Sequence, residues 1–281
     1  MTFAFAIAMC ILFGSMGRIV MKRALGRQSP LICSFYFAFS QAILAVPLFP
    51  FLYQSPSTFF YSTLSGFLFG ISIYYYYASF EGGDVSLLAP LRGLRGVVAL
   101  IISLLWWHEA LSNLEMLGIV IIGLGILFLQ RGSQFQKLVH FLFHKEALMM
   151  IFSVVLGVLS SNLDKTGATE YGIYTHYLLT STSSLVTLGV IVLIRHRQHA
   201  LKEVLTNLHP EVLVVGALFS VTFVFHLMAL QIERVTIVNG LLPIGTLVTS
   251  LFASYFLKEK VQQRLLGTLV IVLGAIMMAL T

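Results

Sequence analysis

The sequence predicts an all-α integral membrane protein, on the grounds of its composition, the length of its apolar runs and their lack of strand-like alternation. Apolar residues make up 58% of the 281 residues and charged residues 10%, with a mean hydropathy of +0.93. A soluble domain carries roughly 25% charged residues. Apolar runs of about 20 residues, enough to cross a bilayer as a helix, follow one another closely. Runs such as LVTLGVIVLI do not alternate as barrel strands do.

Hydropathy, interrupted at polar or Pro/Gly clusters, predicts ten transmembrane helices. They cover roughly residues 3–21, 31–52, 59–80, 84–107, 113–130, 147–167, 173–194, 211–231, 235–257 and 262–280. The first span lacks a basic start and a small-residue exit, so we expect it to stay as a helix rather than be cleaved as a signal. Cys10 and Cys33 fall within spans, which argues against a disulfide framework or a cysteine-built metal site.

The chain contains an internal repeat. A shift of 150 positions places VSLLAPLRGLRGVVALIISLLWWHE over VTIVNGLLPIGTLVTSLFASYFLKE. In a separate match of the first sub-segments of the two halves, Lys22 overlies Lys165. We therefore predict a first five-helix repeat at 1–130, a polar linker at 131–146 and a second five-helix repeat at 147–281. Because each repeat has an odd number of helices, the second inserts inverted, an architecture that holds its substrate near the membrane midplane between the halves.

The same pattern occurs in both halves: a helix that ends in Glu, then a short turn, then a last helix that contains several glycines. The two copies read LLWWHEALSNLEMLGIVIIGLGILFL and YFLKEKVQQRLLGTLVIVLGAIMM. This pattern resembles the EamA-type repeat of the drug/metabolite transporter superfamily. The resemblance implies ten helices around a central cavity, alternating access and small organic metabolites as substrates. The superfamily also includes amino-acid exporters and nucleotide-sugar carriers.

The orientation in the membrane stays open at this point. Loops after odd-numbered helices carry twelve Lys and Arg residues, whereas those after even-numbered helices carry Lys165 and Arg234. The positive-inside rule then places both termini outside, while the family resemblance implies that both lie in the cytoplasm. We expect a bacterial inner (plasma) membrane location.

Two arginines lie near the middle of the fourth predicted span. A central arginine costs about 2.5–3.5 kcal/mol on insertion scales, so Arg92 and Arg95 need a wet cavity or an anionic partner. Their spacing places them on one helix face, and planar guanidinium groups suit a carboxylate or phosphate. We interpret them as contacts for an anionic substrate. Structural pairing with Glu81 or Asp84, and a role in gating, are the alternatives.

Other in-span polar and aromatic residues are candidates on weaker grounds. In ISIYYYYASF at most two tyrosines share a face, so they either line the cavity or pack in the membrane interface. The mid-span His226 is a substrate donor or proton-linked switch, since imidazole titrates near neutrality, or a packing residue. The predicted substrate-binding residues are Arg92, Arg95, Tyr75, Tyr76, Asn162, His226, Asn239 and Thr246. The predicted gating or structural polar residues are Lys22, Asp164, Lys165, Glu109 and Glu259.

These features favour a secondary transporter over an enzyme. We expect it to carry a small metabolite with an anionic group, such as an amino acid or an amino-acid or nucleotide derivative, by facilitated diffusion or exchange. We expect no cofactor, no metal and no nucleic-acid partner, and a monomer or weak homodimer in the lipid bilayer. A cationic multidrug exporter would need carboxylates facing the cavity. A membrane-embedded transferase would need clustered carboxylates, whereas the two aspartates, Asp84 and Asp164, are far apart in sequence.

Overall fold

The computed structural model describes residues 2–26, 28–51, 56–81, 88–107, 112–128, 143–206, 210–257 and 262–280. Within these ranges the regular elements are all helical. The α-helices are α1 (Phe3–Leu25), α2 (Pro30–Ala45), α3 (Pro56–Ser79), α4 (Leu94–Trp107), α5 (Asn113–Phe128), α6 (Lys145–Tyr171), α7 (Ile173–Thr206), α8 (Pro210–Ile232), α9 (Val235–Leu241), α10 (Ile244–Leu257) and α11 (Gln262–Ala279). A 3-10 segment, Val46–Phe51, extends α2, and a second, Ala89–Gly93, precedes α4.

Six helical segments of the described chain are long and apolar enough to cross a membrane. They are Phe3–Leu25, Pro30–Pro50, Lys145–Tyr171, Ile173–Ile194, Pro210–Ile232 and Val235–Phe256. In hydrocarbon every backbone amide and carbonyl must be bonded within the segment, which a helix achieves. The protein is therefore a multi-pass integral membrane protein. The finer count of ten spans stays a prediction.

Local sequence sets where several helices begin and end. Ser29 caps α2 by accepting a hydrogen bond from the Ile32 amide, and Pro30 occupies the first turn, where no amide is needed. Gly172, at φ 86°, separates α6 from α7 in a conformation that favours glycine. These signals are local, so the sequence alone carries them.

Two predicted transmembrane helices, 84–107 and 235–257, are not continuous α-helices in their described parts, although Val235–Phe256 remains long and apolar enough to cross a membrane. Residues 89–93 form a 3-10 segment, and the α-helix begins at Leu94. In the second case α9 ends at Leu241, a turn follows, and α10 begins at Ile244. Pro90 and Pro243 lie at these interruptions, and proline removes an amide donor and clashes with the preceding turn. Helix α7 also continues to Thr206, beyond its predicted end at 194.

The helices pack in an interleaved order. Helix α3 lies against α6 and α7, α1 lies against α8 and α10, and α2 lies against α7 and α8. Helix α5 pairs with α11. An aromatic core forms where α2, α3 and α8 meet: the Phe37 ring lies 5.4 Å from that of Phe219 and 5.9 Å from that of Tyr77.

Helices α5 and α11 approach each other closely at glycines. A Cβ added at Gly125 would lie 2.7 Å from the Ile271 amide nitrogen, and one at Gly274 would lie 2.7 Å from the Gly118 carbonyl oxygen. Small residues allow such backbone approach between membrane helices. By contrast, a Cβ at Gly123, on the same helix, meets nothing within 4 Å.

We expect Gly125→Ala to destabilise the protein by about 1–3 kcal/mol, because the methyl group meets backbone that cannot move aside. Gly123→Ala is the matched control and should be neutral or stabilising by up to about 1 kcal/mol through helix propensity. Thermal melting of both variants in detergent tests the difference. Equal melting temperatures would contradict the close approach of α5 and α11.

Candidate functional site

A cavity of about 110 Å³ lies where the two interrupted helices meet α1, α3, α6 and α8; we call it the central cavity. Residues from both interruptions line it, including Arg92 from the 3-10 segment and Pro243 from the turn between α9 and α10. Irregular backbone at membrane depth is tolerated where it lines such a cavity. The central cavity is therefore the first place to look for a polar ligand.

Three arginines line the central cavity: Arg18 from α1, Arg92 and Arg95. The guanidinium of Arg95 is held on three sides. Its Nε donates to Asn239 Oδ1 at 2.6 Å, and its Nη2 donates to Ser161 Oγ at 2.7 Å and to the Gly157 carbonyl at 3.2 Å. Arg95 is thus fixed in place by neutral groups of α6 and α9.

The other two guanidinium groups have fewer contacts. Arg18 Nε donates to the Gly14 carbonyl at 2.9 Å, and its Nη2 donates to Ser15 Oγ at 3.5 Å. The guanidinium of Arg92 lies 4.7 Å from the centre of the Tyr76 ring, in cation–π geometry. In the described part of the chain this ring is the contact that holds Arg92.

The central cavity carries a surplus of positive charge. Among the described residues, no carboxylate lies within salt-bridge distance of the three guanidinium groups. Asp164 also lines the cavity, but its carboxylate contacts His176 Nε2 at 2.9 Å and accepts a hydrogen bond from Ser65. Charges buried in a membrane protein normally pair with one another or mark a substrate path. The arrangement can therefore attract and hold an anion.

Aromatic rings and two unsatisfied polar atoms complete the cavity wall. Phe69 and Phe223 stack with their centres 5.5 Å apart, and both line the cavity. The Tyr76 hydroxyl and His226 Nδ1 are buried and have no hydrogen-bond partner among the described residues. Buried polar atoms are nearly always satisfied, so these two are free to bond a ligand in the cavity.

The structure brings some predicted site residues to the central cavity and not others. Of the predicted substrate-binding and gating residues, those that line it are Arg92, Arg95, Tyr76, Asp164, His226 and Thr246. Asn239 lies behind Arg95 and positions it. Tyr75 instead packs against Phe152, with ring centres 4.8 Å apart, and the Asn162 amide bonds the Val158 carbonyl of its own helix at 2.9 Å.

Lys165 has a structural contact, because its ammonium donates to the carbonyls of Leu230 and Glu233 and so caps the end of α8. Lys22 is half-buried near the end of α1. Glu81 is exposed. Asp84, Glu109, Glu259 and most of the predicted linker lie outside the described residues.

Sequence reasoning missed three residues that the structure draws into the site. Arg18 lies within the first predicted span, and a basic residue inside a span was the signal for a third cavity cation. Ser161 belongs to a polar run with Asn162, but that run did not indicate a contact with Arg95. His176 gave no signal, because a histidine in an apolar helix is usually a packing residue. Ser161 and His176 belong to the site because of the residues that neighbouring helices place against them.

Residues 1–131 match the model of the EamA-like transporter family. Among the solved structures that match is a crystal structure with a TM-score of 0.69 and 14% sequence identity; the match covers 98% of this chain and 96% of that chain. At that identity the likeness establishes a shared fold over nearly the whole chain. A search of curated proteins finds no match.

We expect Asn239→Ala to destabilise the protein by about 1.5–3 kcal/mol, the usual value of a hydrogen bond to a charged group. The matched control is Asn162→Ala, which removes an amide that bonds its own helix at a partly exposed position. Thermal melting in detergent should separate the two. A larger loss for Asn162→Ala would contradict the positioning role of Asn239.

Proposed function

We propose that this chain is a secondary carrier for a small organic anion, because residues 1–131 match the model of the EamA-like transporter family, which implies a membrane transporter of the drug/metabolite kind. The substrate binds in the central cavity and contacts Arg92 directly. Arg18 and Arg95 set the positive potential around it. Tyr76 and His226 supply hydrogen bonds to the rest of the molecule.

The observation that carries this proposal is the set of three guanidinium groups that have no carboxylate partner in the described part of the chain. Each central arginine costs about 2.5–3.5 kcal/mol to insert on experimental scales. Carbonyl, amide and hydroxyl groups satisfy the hydrogen bonds of Arg95, but they do not neutralise its charge. An anion that enters the cavity supplies the missing charge, and its binding is favoured for that reason.

Contacts between α5 and α11 support a two-fold relation between the halves, as alternating access requires. Gly125 faces the Gly267 carbonyl and the Ile271 amide, while Gly274 faces the Gly118 carbonyl and the Ile122 amide. Each of these residues is 149 positions from its counterpart, as 274 − 125, 267 − 118 and 271 − 122 show. Two inverted five-helix repeats that rock about such an axis expose a midplane site to either side in turn.

Arg18 and Arg95 bond equivalent positions of the two halves. Gly14 and Gly157 are equivalent positions under the 143-residue offset that also relates Lys22 to Lys165 (157 − 14 and 165 − 22). Arg18 bonds the Gly14 carbonyl and Arg95 bonds the Gly157 carbonyl. Each half therefore presents a glycine carbonyl at an equivalent place that accepts from a guanidinium of the first half, which favours an anion bound between the halves.

A cationic substrate fits this cavity poorly. The described carboxylate in its wall is that of Asp164, and His176 and Ser65 already bond it. Three positive charges in the same wall would repel a cation, and like charges in a site of low dielectric constant repel strongly.

The test is transport by the purified protein in liposomes. Radiolabelled L-glutamate, succinate and phosphoglycerate serve as anion probes, and tetraphenylphosphonium serves as the cation probe. We expect at least one anion to exchange across the membrane and the cation not to. Exchange of the cation alone would refute the proposal.

Arg92→Gln should reduce exchange of the transported anion by about 10–100-fold, because a charge-assisted contact of about 1.5–3 kcal/mol is lost. Arg92 suits this test because its described contact is the face of the Tyr76 ring, so the substitution breaks no hydrogen bond or ion pair among the described residues. Arg23→Gln, an exposed arginine on α1, is the matched control and should transport normally. Normal transport by a folded Arg92→Gln protein would refute the assigned role.

A further inference from the structure

A buried polar cluster lies beside the central cavity, between α3, α6 and α7. Asp164 is 2% exposed and His176 is fully buried, and Oδ1 of the first lies 2.9 Å from Nε2 of the second. Ser65 donates to the same carboxylate oxygen, and Ser62 Oγ lies 2.8 Å from Nδ1 of the imidazole. We call Asp164 and His176 the acid–imidazole pair.

The acid–imidazole pair reaches the central cavity through its carboxylate. Asp164 and Ser160 line the cavity, while His176 lies behind them. Ser160 Oγ is 2.9 Å from Ser65 Oγ, so hydroxyl groups connect the cavity wall to the carboxylate. Series of carboxylate and imidazole side chains that reach a cavity inside a membrane helix bundle commonly form proton relays.

Packing alone does not account for this pair. The surrounding serines could satisfy one another, as Ser72 and Ser153 do at 3.2 Å elsewhere between α3 and α6. An ionisable carboxylate adds a desolvation cost that neutral hydroxyls avoid. Ionisable residues within membrane helices are rare for this reason and mark functional sites.

Charged and titratable groups of the neighbouring helices face the acid–imidazole pair. Arg95 of α4 and His226 of α8 both interact electrostatically with Asp164. The 3-10 segment before α4 contributes Arg92 to the same cavity. Helix α3 contributes hydroxyls only in its described contacts with the pair, from Ser62 and Ser65. The pair is thus the acidic element of an otherwise cationic cavity.

We propose that the acid–imidazole pair is the proton-binding site that couples transport, so that one proton moves in the same direction as each anion. The proposal rests on the function proposed above. Without the proton the pair carries a negative charge that weakens anion binding; with the proton it is neutral and the anion binds more tightly. By linkage the bound anion strengthens proton binding by the same factor. The proton enters from water in the cavity, is held on the carboxylate or the imidazole, and leaves to water on the other side.

The experiment measures protons and anions in the same liposomes. The liposomes contain a pH-sensitive dye, and valinomycin with equal potassium on both sides holds the membrane potential at zero. The probe is whichever of L-glutamate, succinate and phosphoglycerate exchanges fastest. We expect its addition outside to acidify the lumen, with about one proton per anion. An acidic exterior should concentrate the anion inside about tenfold for each pH unit, since equal tenfold ratios carry equal free energy.

Asp164→Asn keeps the shape of the side chain and removes its charge, so the ratio of protons to anion should fall towards zero and the pH dependence of anion affinity should disappear. Glu170→Gln, an exposed carboxylate on the same helix, is the matched control and should keep the wild-type ratio. A purely structural cluster would leave the ratio unchanged in both.

The measurement on the wild-type protein tests the coupling even if Asp164→Asn fails to fold. Net anion uptake without acidification of the lumen would overturn the coupling and leave the proposed function intact. No exchange of any of the three anions would overturn the proposed function, and the coupling with it. A folded Asp164→Asn protein that still moves protons with the anion would overturn the assignment to this pair.

Discussion

Three guanidinium groups line a cavity in an apolar helical bundle and have no carboxylate partner among the described residues; they impose the constraint on which the rest of the site depends. Such groups need acceptors, and regular membrane helices offer few, because their carbonyls already accept a hydrogen bond within the helix. The chain meets the need with Asn239, Ser161 and the carbonyls of Gly14 and Gly157. The interruptions near Pro90 and Pro243 open the space into which the side chains extend.

The two halves contribute different chemistry to one cavity. All three cavity arginines lie in the first half, whereas the neutral groups that hold Arg95 and the acid–imidazole pair lie in the second. The contacts of Arg95, and the hydrogen bond from Ser65 to Asp164, therefore cross from one half to the other. A rocking motion of the halves would change these distances directly, so that binding of an anion or a proton and reorientation of the carrier affect the same interactions.

The membrane class could be read from the sequence because composition and hydropathy are properties of single segments. Helix ends at Pro30 and Gly172 follow from local chemistry in the same way. The site was harder to predict, because which face of a helix meets the cavity depends on its neighbours. Consecutive helical residues point about 100° apart, so the run of tyrosines could not show that Tyr76 lines the cavity while Tyr75 packs on Phe152.

The acid–imidazole pair could not be predicted from the sequence for a related reason. Asp164 and His176 lie twelve residues apart on two helices joined at Gly172, and rules for neighbouring residues on one helix do not reach across such a junction. The sequence grouped Asp164 with Lys165 among the predicted gating or structural polar residues. The structure turns the two adjacent side chains apart, with Asp164 towards the cavity and Lys165 towards the end of α8.

The formal charges of the cavity link the two proposals. Three guanidinium groups and one carboxylate leave the empty, deprotonated cavity at +2. A monovalent anion alone would lower this charge to +1, but an anion together with a proton restores it to +2. Moving one charge across the membrane potential involves about 2.3 kcal/mol per 100 mV. A carrier with the same charge empty and loaded feels the same electrical force in both states, so the potential neither drives nor opposes net transport. In such a carrier the proton gradient sets the direction, because the proton compensates the charge that the anion brings.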